Sequence, residues 1–283
     1  MAQELNQGDR QENLKVSVLM SLYHKESPLY FREALESILS QTILPDEIVI
    51  IIDGPISKEL ESVVAWISQQ YDNTKVFRFE ENVQLGLALR KGVELCSYSL
   101  VARMDTDDIM RDDRIQKQVM YMDKHPEVSV CGSEIAEFSD ENHMAYMVKH
   151  MPEDNVAICK YAKKRNPVNH MSVMFRREAV LRAGNYEHCP GLEDYHLWTR
   201  MIVQGERFYN IQEPLMYART GDGIYRRRGG RQYTANYIRF RKWQRKVGFL
   251  SVKEWCVAVC LTIGMTATPN WIRKLLYQKV LRK

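Results

Sequence analysis

The sequence predicts an α/β domain built on a mostly parallel sheet, and three observations carry that reading. Short apolar or β-branched runs at Val16–Leu22, Glu47–Ile52 and Leu100–Arg103 are each followed by polar turn residues and then by a helical pattern. A chain of 283 residues with 45% hydrophobic content is long enough for one large domain and too apolar to be disordered. No internal repeat or low-complexity linker divides it.

The first strand leads into Ser27 and Pro28, a helix start with proline at the first helical position, after which Phe31, Ala34, Leu35, Ile38 and Leu39 recur on one face. Further helices are predicted over 57–71, 86–96, 112–124 and 194–204, and further strands over 75–79, 128–132 and 172–175. Residues 1–13 are polar and read as a flexible leader, without the apolar core of a secretory signal. The six cysteines are scattered, form no C-x-x-C pair and fit a reducing cytosol.

Charge is unevenly distributed. Residues 219–283 hold sixteen Lys and Arg against two acids, so a formal net charge of +4 leaves about −10 for the rest of the chain. Such a basic end suits nucleic acid, anionic lipid or phosphate-bearing substrates, or is simply a solvated surface.

In an open α/β sheet, ligands sit at the carboxyl ends of the strands, so the residues just after each strand matter most. Four such segments carry chemistry: Tyr23-His24-Lys25-Glu26, Asp53-Gly54-Pro55, Asp105-Thr106-Asp107-Asp108 and Glu193-Asp194. Carboxylates at a strand end offer hard oxygens to Mg2+ or Mn2+, which can bridge a diphosphate leaving group. Asp108 can equally cap the next helix. Asp53 can accept from a pyrimidine imide N–H or form an ordinary turn, and Tyr23 can lie against a base or merely pack. Asp194, at a helix start, can act as a general base toward an acceptor hydroxyl or cap its helix.

Taken in order, VSVLMSLYHKE, EIVIIIDGP, ENVQLGLALRKG, VARMDTDD and GLEDYHLWTRM resemble the family 2 glycosyltransferases of bacterial capsule, exopolysaccharide and O-antigen synthesis, over roughly residues 14–230. The resemblance implies a GT-A fold, an α/β sandwich with a Rossmann-like nucleotide-binding half, and inverting transfer of a sugar from a UDP- or dTDP-sugar to an acceptor hydroxyl, the expected acceptor being a lipid-linked saccharide. It places Asp53 on the base, Asp105 near ribose and metal, Asp107 on the Mn2+ or Mg2+, and Asp194 as catalytic base. Tyr23, Glu26 and Arg103 fall on the donor side, Arg103 being either a donor contact or half of a surface ion pair. Glu193 and His170 fall on the acceptor side, His170 with packing as its alternative. Arg219 and the run from Arg226 to Arg231 either offer guanidinium groups to the diphosphate, Arg226 being the candidate donor contact, or form a solvated basic loop. Two positions depart from the family pattern: His24 stands where asparagine is common, and Gln84 where many members have glycine.

Beyond a 14–230 catalytic domain, residues 231–283 form a helical, basic extension. No charge occurs from Trp255 to Ile272, but polar interruptions make this a poor spanning helix. With basic flanks and Trp255, Trp271 and Tyr277, it suits peripheral contact with the anionic cytoplasmic face of the cell membrane, or helices packed on the catalytic domain. A sugar nucleotidyltransferase would need a glycine-rich triphosphate loop near the first strand, which is not seen. A nucleic-acid-binding protein would need a recognition motif joined to the basic end, and nucleic acid is not an expected partner.

Overall fold

The computed structural model describes residues 14–139, 145–220 and 231–267. The leader at 1–13, the boundary at 230 and Arg226 lie outside the described residues. Among these, the strands are β1 (Val16–Leu22), β2 (Glu47–Ile52), β3 (Thr74–Arg78), β4 (Leu100–Arg103), β5 (Ile109–Met110), β6 (Val128–Phe138), β7 (Ala145–Lys149), β8 (Met174–Arg176) and β9 (Arg207–Arg219). The helices are α1 (Pro28–Leu39), α2 (Lys58–Gln70), α3 (Leu85–Leu95), α4 (Arg114–Lys124), α5 (Asn155–Ala162), α6 (Arg177–Arg182), α7 (Glu193–Val203), α8 (Arg231–Lys246) and α9 (Val252–Ala267).

The strands form one sheet in the order β3-β2-β1-β4-β8-β6-β9-β5, with β7 beside β6. From β3 to β4 every pairing is parallel. Past β4 the sheet turns mixed, with β8 antiparallel to both β4 and β6, and β9 parallel to β6. Every residue of β2 is buried because helices cover both faces, which is why an unbroken EIVIII run forms a strand here. Side chains alternate between two cores. Val18, Met20 and Leu22 join α1 and α2 on one face, and Leu19, Val49 and Ile51 join α3, α6 and α7 on the other. Ser27 caps α1 as the sequence indicates, its hydroxyl accepting from the Tyr30 N–H.

Parallel register makes β1 and β2 end level, Leu22 pairing with Ile52, while β4 ends three residues lower, Arg103 pairing with Leu19. The residues that follow them leave the sheet along one edge. Beneath that edge the fully buried Arg114 of α4 donates to the Arg103 carbonyl at 2.8 Å and the Val173 carbonyl at 3.2 Å. Gln118, one turn later, donates to the carbonyls of Cys131 and Ser172, both at 2.8 Å. Two side chains of one helix thus fix the end of β4 and the short helical turn His170–Ser172.

The C-terminal helices pack on this body. Buried Arg241 of α8 donates to the Tyr195 hydroxyl at 3.0 Å and the Lys164 carbonyl at 2.6 Å, and Gln244 donates to the Thr199 hydroxyl at 2.9 Å. Phe240 shares a small core with Leu192 and Tyr195, so α8 lies against α7. Among the described residues, no helix is long and apolar enough to cross a membrane. α9 buries Ala258 but leaves Val252, Val257 and Leu261 more than half exposed.

Candidate active site

Tyr23 and Asp53 emerge side by side from β1 and β2, and the Asp53 N–H donates to the Leu22 carbonyl at 2.8 Å. The Tyr23 ring is half-buried and edge-on to the exposed His24 at 5.6 Å. The Glu26 N–H donates to the Tyr23 carbonyl at 3.2 Å, closing this loop into a turn. Asp53 is buried and anchors the 82–84 loop, accepting from Asn82 Nδ2 at 2.9 Å and from the Val83 N–H at 2.6 Å. Burial pushes its carboxyl up, against the lowering effect of the Val83 and Gln84 N–H groups. Gly54 is needed beside it: its φ is +85°, and an added Cβ would meet the Asn82 nitrogen at 2.9 Å.

Gln84, the departure from glycine noted in the sequence, has φ 73° and ψ 156°. That region is essentially restricted to glycine, so a side chain there stores strain beside the Asp53 anchor. Gln84 is the N-cap of α3 but makes no side-chain capping bond.

The Asp105–Asp108 segment follows β4. Asp105 is partly exposed and paired with Arg103, whose own side chain is only 3% exposed, so this is a buried-edge ion pair and not a surface one. Nε and Nη1 of Arg103 have no hydrogen-bond partner among the described residues. Asp108 does not cap α4, whose N-cap is Asp113. It is buried, accepts from the Arg219 N–H at 2.9 Å, and leaves Oδ2 without a partner. Burial, then the charges of Asp105 and Asp107, hold its carboxyl well above the usual range. Arg219 is taken up by structure: Nε donates to the Asp107 carbonyl at 3.0 Å, Nη2 to Glu33 at 2.5 Å, and the guanidinium lies 3.9 Å from the centre of the Tyr30 ring.

No group of three or more His, Cys, Asp or Glu gathers as a metal cage among the described residues. The acidic turn nonetheless fits Mg2+ or Mn2+, which are held by one or two carboxylates with substrate phosphates and water completing the shell. Mutually repelling carboxylates and the orphaned Asp108 oxygen are what a cation would relieve.

The start of α7 is linked to this turn through Arg103. Glu193 is 8% exposed, and burial, reinforced by Asp194, pushes its carboxyl up to about 7. Asp194 is half-buried; one oxygen accepts from the Tyr195 N–H at 2.7 Å, which relieves the helix N-terminus, while the other accepts from Asn166 Nδ2. Burial raises Asp194 as well, against the hydrogen bonds of Tyr195 and Asn166 and the charge of Arg103. His170 bonds the Tyr186 hydroxyl through Nε2 at 2.9 Å and meets Trp198 edge-on. Burial, then Arg103, depresses its imidazole well below the usual value, which favours the neutral ring. Arg103 therefore acts on both carboxylate clusters, bonding Asp105 and lying within electrostatic reach of His170, Glu193 and Asp194.

The structure thus sets Tyr23, Asp53, Arg103, Asp105 and Asp107 at or after the ends of β1, β2 and β4, with Glu193, Asp194 and His170 within electrostatic reach of Arg103. Asn166, Tyr186 and the buried pair Arg114 and Gln118 were not singled out in the sequence. Asn166 lies four residues before His170, in the NPVNH segment, and proximity to a candidate was its only signal.

Comparison with known proteins agrees with this geometry. The family model of glycosyl transferase family 2 matches residues 17–182. The chain is 36% identical, over 95% of its length and 97% of the relative, to the UDP-Gal:alpha-D-GlcNAc-diphosphoundecaprenol beta-1,3-galactosyltransferase of Escherichia coli. Among solved structures, S. aureus TarS 1-349 in complex with UDP-GlcNAc superimposes with a TM-score of 0.65 at 16% identity, covering 81% of this chain and 66% of that one. The mannosyltransferase PcManGT from Pyrobaculum calidifontis, in complex with GDP-Man and Mn2+, gives 0.64 at 17% identity, covering 93% and 73%. These two likenesses establish the GT-A-type fold. Of the three readings open from the sequence, the glycosyltransferase is the one these findings support.

Proposed function

Since the chain belongs to glycosyl transferase family 2, we propose that it transfers a hexose from a UDP- or dTDP-sugar to a hydroxyl of a lipid-linked saccharide, with inversion, in bacterial surface polysaccharide synthesis. One observation carries the reading: the buried Arg103 bonds Asp105 of one carboxylate cluster and lies within electrostatic reach of Glu193 and Asp194, the other. The likeness to an enzyme named for a UDP-sugar donor and a diphosphoundecaprenol acceptor supports the substrate classes.

In this reading Asp53 receives the imide N–H of the base, Tyr23 lies against its face, and Glu26 and Arg226 serve the donor side. Asp105 and Asp107 would hold Mn2+ or Mg2+, which supplies charge neutralisation for the departing diphosphate. Glu193 and His170 orient the acceptor. Asp194 takes the acceptor hydroxyl's proton as that oxygen attacks the anomeric carbon; the bond from that carbon to the diphosphate oxygen breaks, and the nucleoside diphosphate leaves from the opposite face. A carboxyl raised by burial and steadied by Asn166 is a stronger, better aimed base than one in water. The exposed apolar side of α9 and the basic residues of α8 would rest peripherally on the inner face of the cell membrane.

The test is a panel of UDP- and dTDP-sugars with an undecyl diphosphate ester of N-acetylglucosamine as acceptor. Metal-dependent transfer with an inverted anomeric configuration, read by NMR coupling constants, is expected. Retention of configuration would refute the single displacement.

A further inference from the structure

A second recess lies beside the acid pair, between the 187–190 loop and α8, with a volume of about 410 Å³. That is within the range of small-molecule sites. Its wall is continuous with the reaction edge. A Cβ placed on Gly86 would stand 2.8 Å from the Glu187 carbonyl and 3.2 Å from the Glu193 Cβ, so the rim of the recess and the acid are neighbours. His196 lines the recess and follows Glu193 by three residues on α7, which puts the two on one helix face.

The lining has the chemistry of a sugar site. Trp243 is the half-buried ring of the lining; it packs against His196, 4.0 Å away between centroids, and is stacked at 5.8 Å on Phe240, which is itself buried. The apolar face of a pyranose packs on such rings, while its hydroxyls need polar partners. His196 is 8% exposed, yet its Nδ1 has no hydrogen-bond partner among the described residues and stands 3.8 Å from Glu187. A buried polar atom left open beside an aromatic platform is what a ligand hydroxyl would satisfy.

From the recess the chemistry changes in a fixed order. Arg239, on its lining, is exposed and is followed at three-residue intervals by Lys242 and Arg245, which places a row of cations along one side of α8. Lys242 and Arg245 then line a hollow together with Val252 and Trp255 of α9. The same helix α9 carries the exposed apolar Val257 and Leu261. Ring faces, then cations, then apolar surface match a molecule made of a sugar, an anionic linker and a hydrocarbon chain.

We infer that this track is the acceptor site: the terminal sugar of a lipid diphosphate saccharide seats on Trp243 beside His196, its diphosphate lies along Arg239 and Lys242, and its lipid leaves over α9. The inference rests on the transferase reading above and assigns the acceptor's place within it. Glu193 and Asp194 then meet the sugar hydroxyl at the inner end of the track.

The full chain is tested with two probes, the undecyl diphosphate ester of N-acetylglucosamine and the undecyl glycoside lacking the diphosphate. Binding is measured by calorimetry, and KM wherever a donor sugar is turned over. Trp243→Ala should weaken both probes about tenfold or more, as loss of a central aromatic anchor does, with acceptor-free hydrolysis of the donor changed less than about twofold. Trp243→Phe, which keeps a ring, should stay near the wild type and guards against a folding defect. Arg239→Gln should weaken only the diphosphate probe, by about fivefold. Unchanged affinity for both probes in Trp243→Ala and Arg239→Gln overturns the track, as does failure of the wild type to bind either probe while it turns over a donor. Trp243-dependent binding without turnover of any donor sugar would uphold the track and overturn the transferase reading instead.

Discussion

Glu193 carries a stability cost that should be visible in its pH dependence. Its carboxyl stands at about 7 in the folded protein against an ordinary 4.5, because it is 8% exposed and beside Asp194. As pH rises through the ordinary value, the unfolded chain ionises first while the folded chain keeps the proton, so the folded state loses stability until about pH 7 and stays lower above it. The displacement corresponds to about 3 kcal/mol at the high-pH limit. Glu193→Gln keeps the volume and removes the titration. Relative to the wild type, it should therefore gain about 2–3 kcal/mol on going from about pH 5 to about pH 8.5, with the gain concentrated below neutrality. Lowering of Asp194 in the variant acts in the same direction, since the two acids repel. The assay is urea unfolding of both metal-free proteins at fixed ionic strength, followed by tryptophan fluorescence. A variant-to-wild-type difference that is flat with pH, or that grows as pH falls, would refute the account of Glu193 as a buried acid held at a cost for the sake of the site.

The remaining expectations concern strain, metal and membrane. Gln84→Gly should raise stability by about 1 kcal/mol, since about 1–3 kcal/mol of backbone strain is relieved and part is offset by the looser unfolded chain; Gln84→Ala, which retains the Cβ, should show no such gain in the same unfolding experiment. Asp107→Ala should abolish metal-dependent donor turnover with the far-ultraviolet circular dichroism unchanged, and Asp107→Asn should follow it because the shape remains while the charge goes. Full turnover by the chelator-treated wild type would contradict both. Replacing the exposed Val257 and Leu261 together by Glu should lower binding to vesicles containing anionic lipid by about tenfold or more, and added salt should weaken wild-type binding. Sedimentation with such vesicles measures this, and equal binding would argue against α9 as the contact.

Where local chemistry decides structure, the sequence was readable to the residue. β1, β2 and β4 begin and end with their apolar runs, because buried parallel strands need no polar face. β6 was shorter in the sequence reading, 128–132, than in the fold, where it reaches Phe138. Its second half, SEIAEF, buries Glu134 and Glu137; Glu134 is balanced by His150, whose Nδ1 lies 2.6 Å from its carboxylate, a partner sixteen residues away that no local pattern announces. β5 and β7 went unpredicted for a related reason: a two-residue strand and an edge hairpin are defined by what they pair with. Asp53, Asp105 and Asp107 stood out because strand ends are predictable, and Glu193 and Asp194 because they open a helical pattern. Arg114 did not, because a charged residue in DRIQKQ reads as solvated, and only the packed fold shows it reaching the Arg103 carbonyl from below. Arg219 looked like a phosphate ligand, and its engagement with Glu33 again depends on a contact remote in sequence.

The central claim is that Asp194 removes the acceptor proton at a site assembled by the acidic turn and the start of α7. Single-turnover transfer by Asp194→Asn, with donor affinity measured separately on the same protein, tests it most directly. Donor and metal binding within about twofold of wild type, with transfer slowed by about 10²-fold or more, is the expected result for loss of a general base. Transfer at a near-normal rate would contradict it.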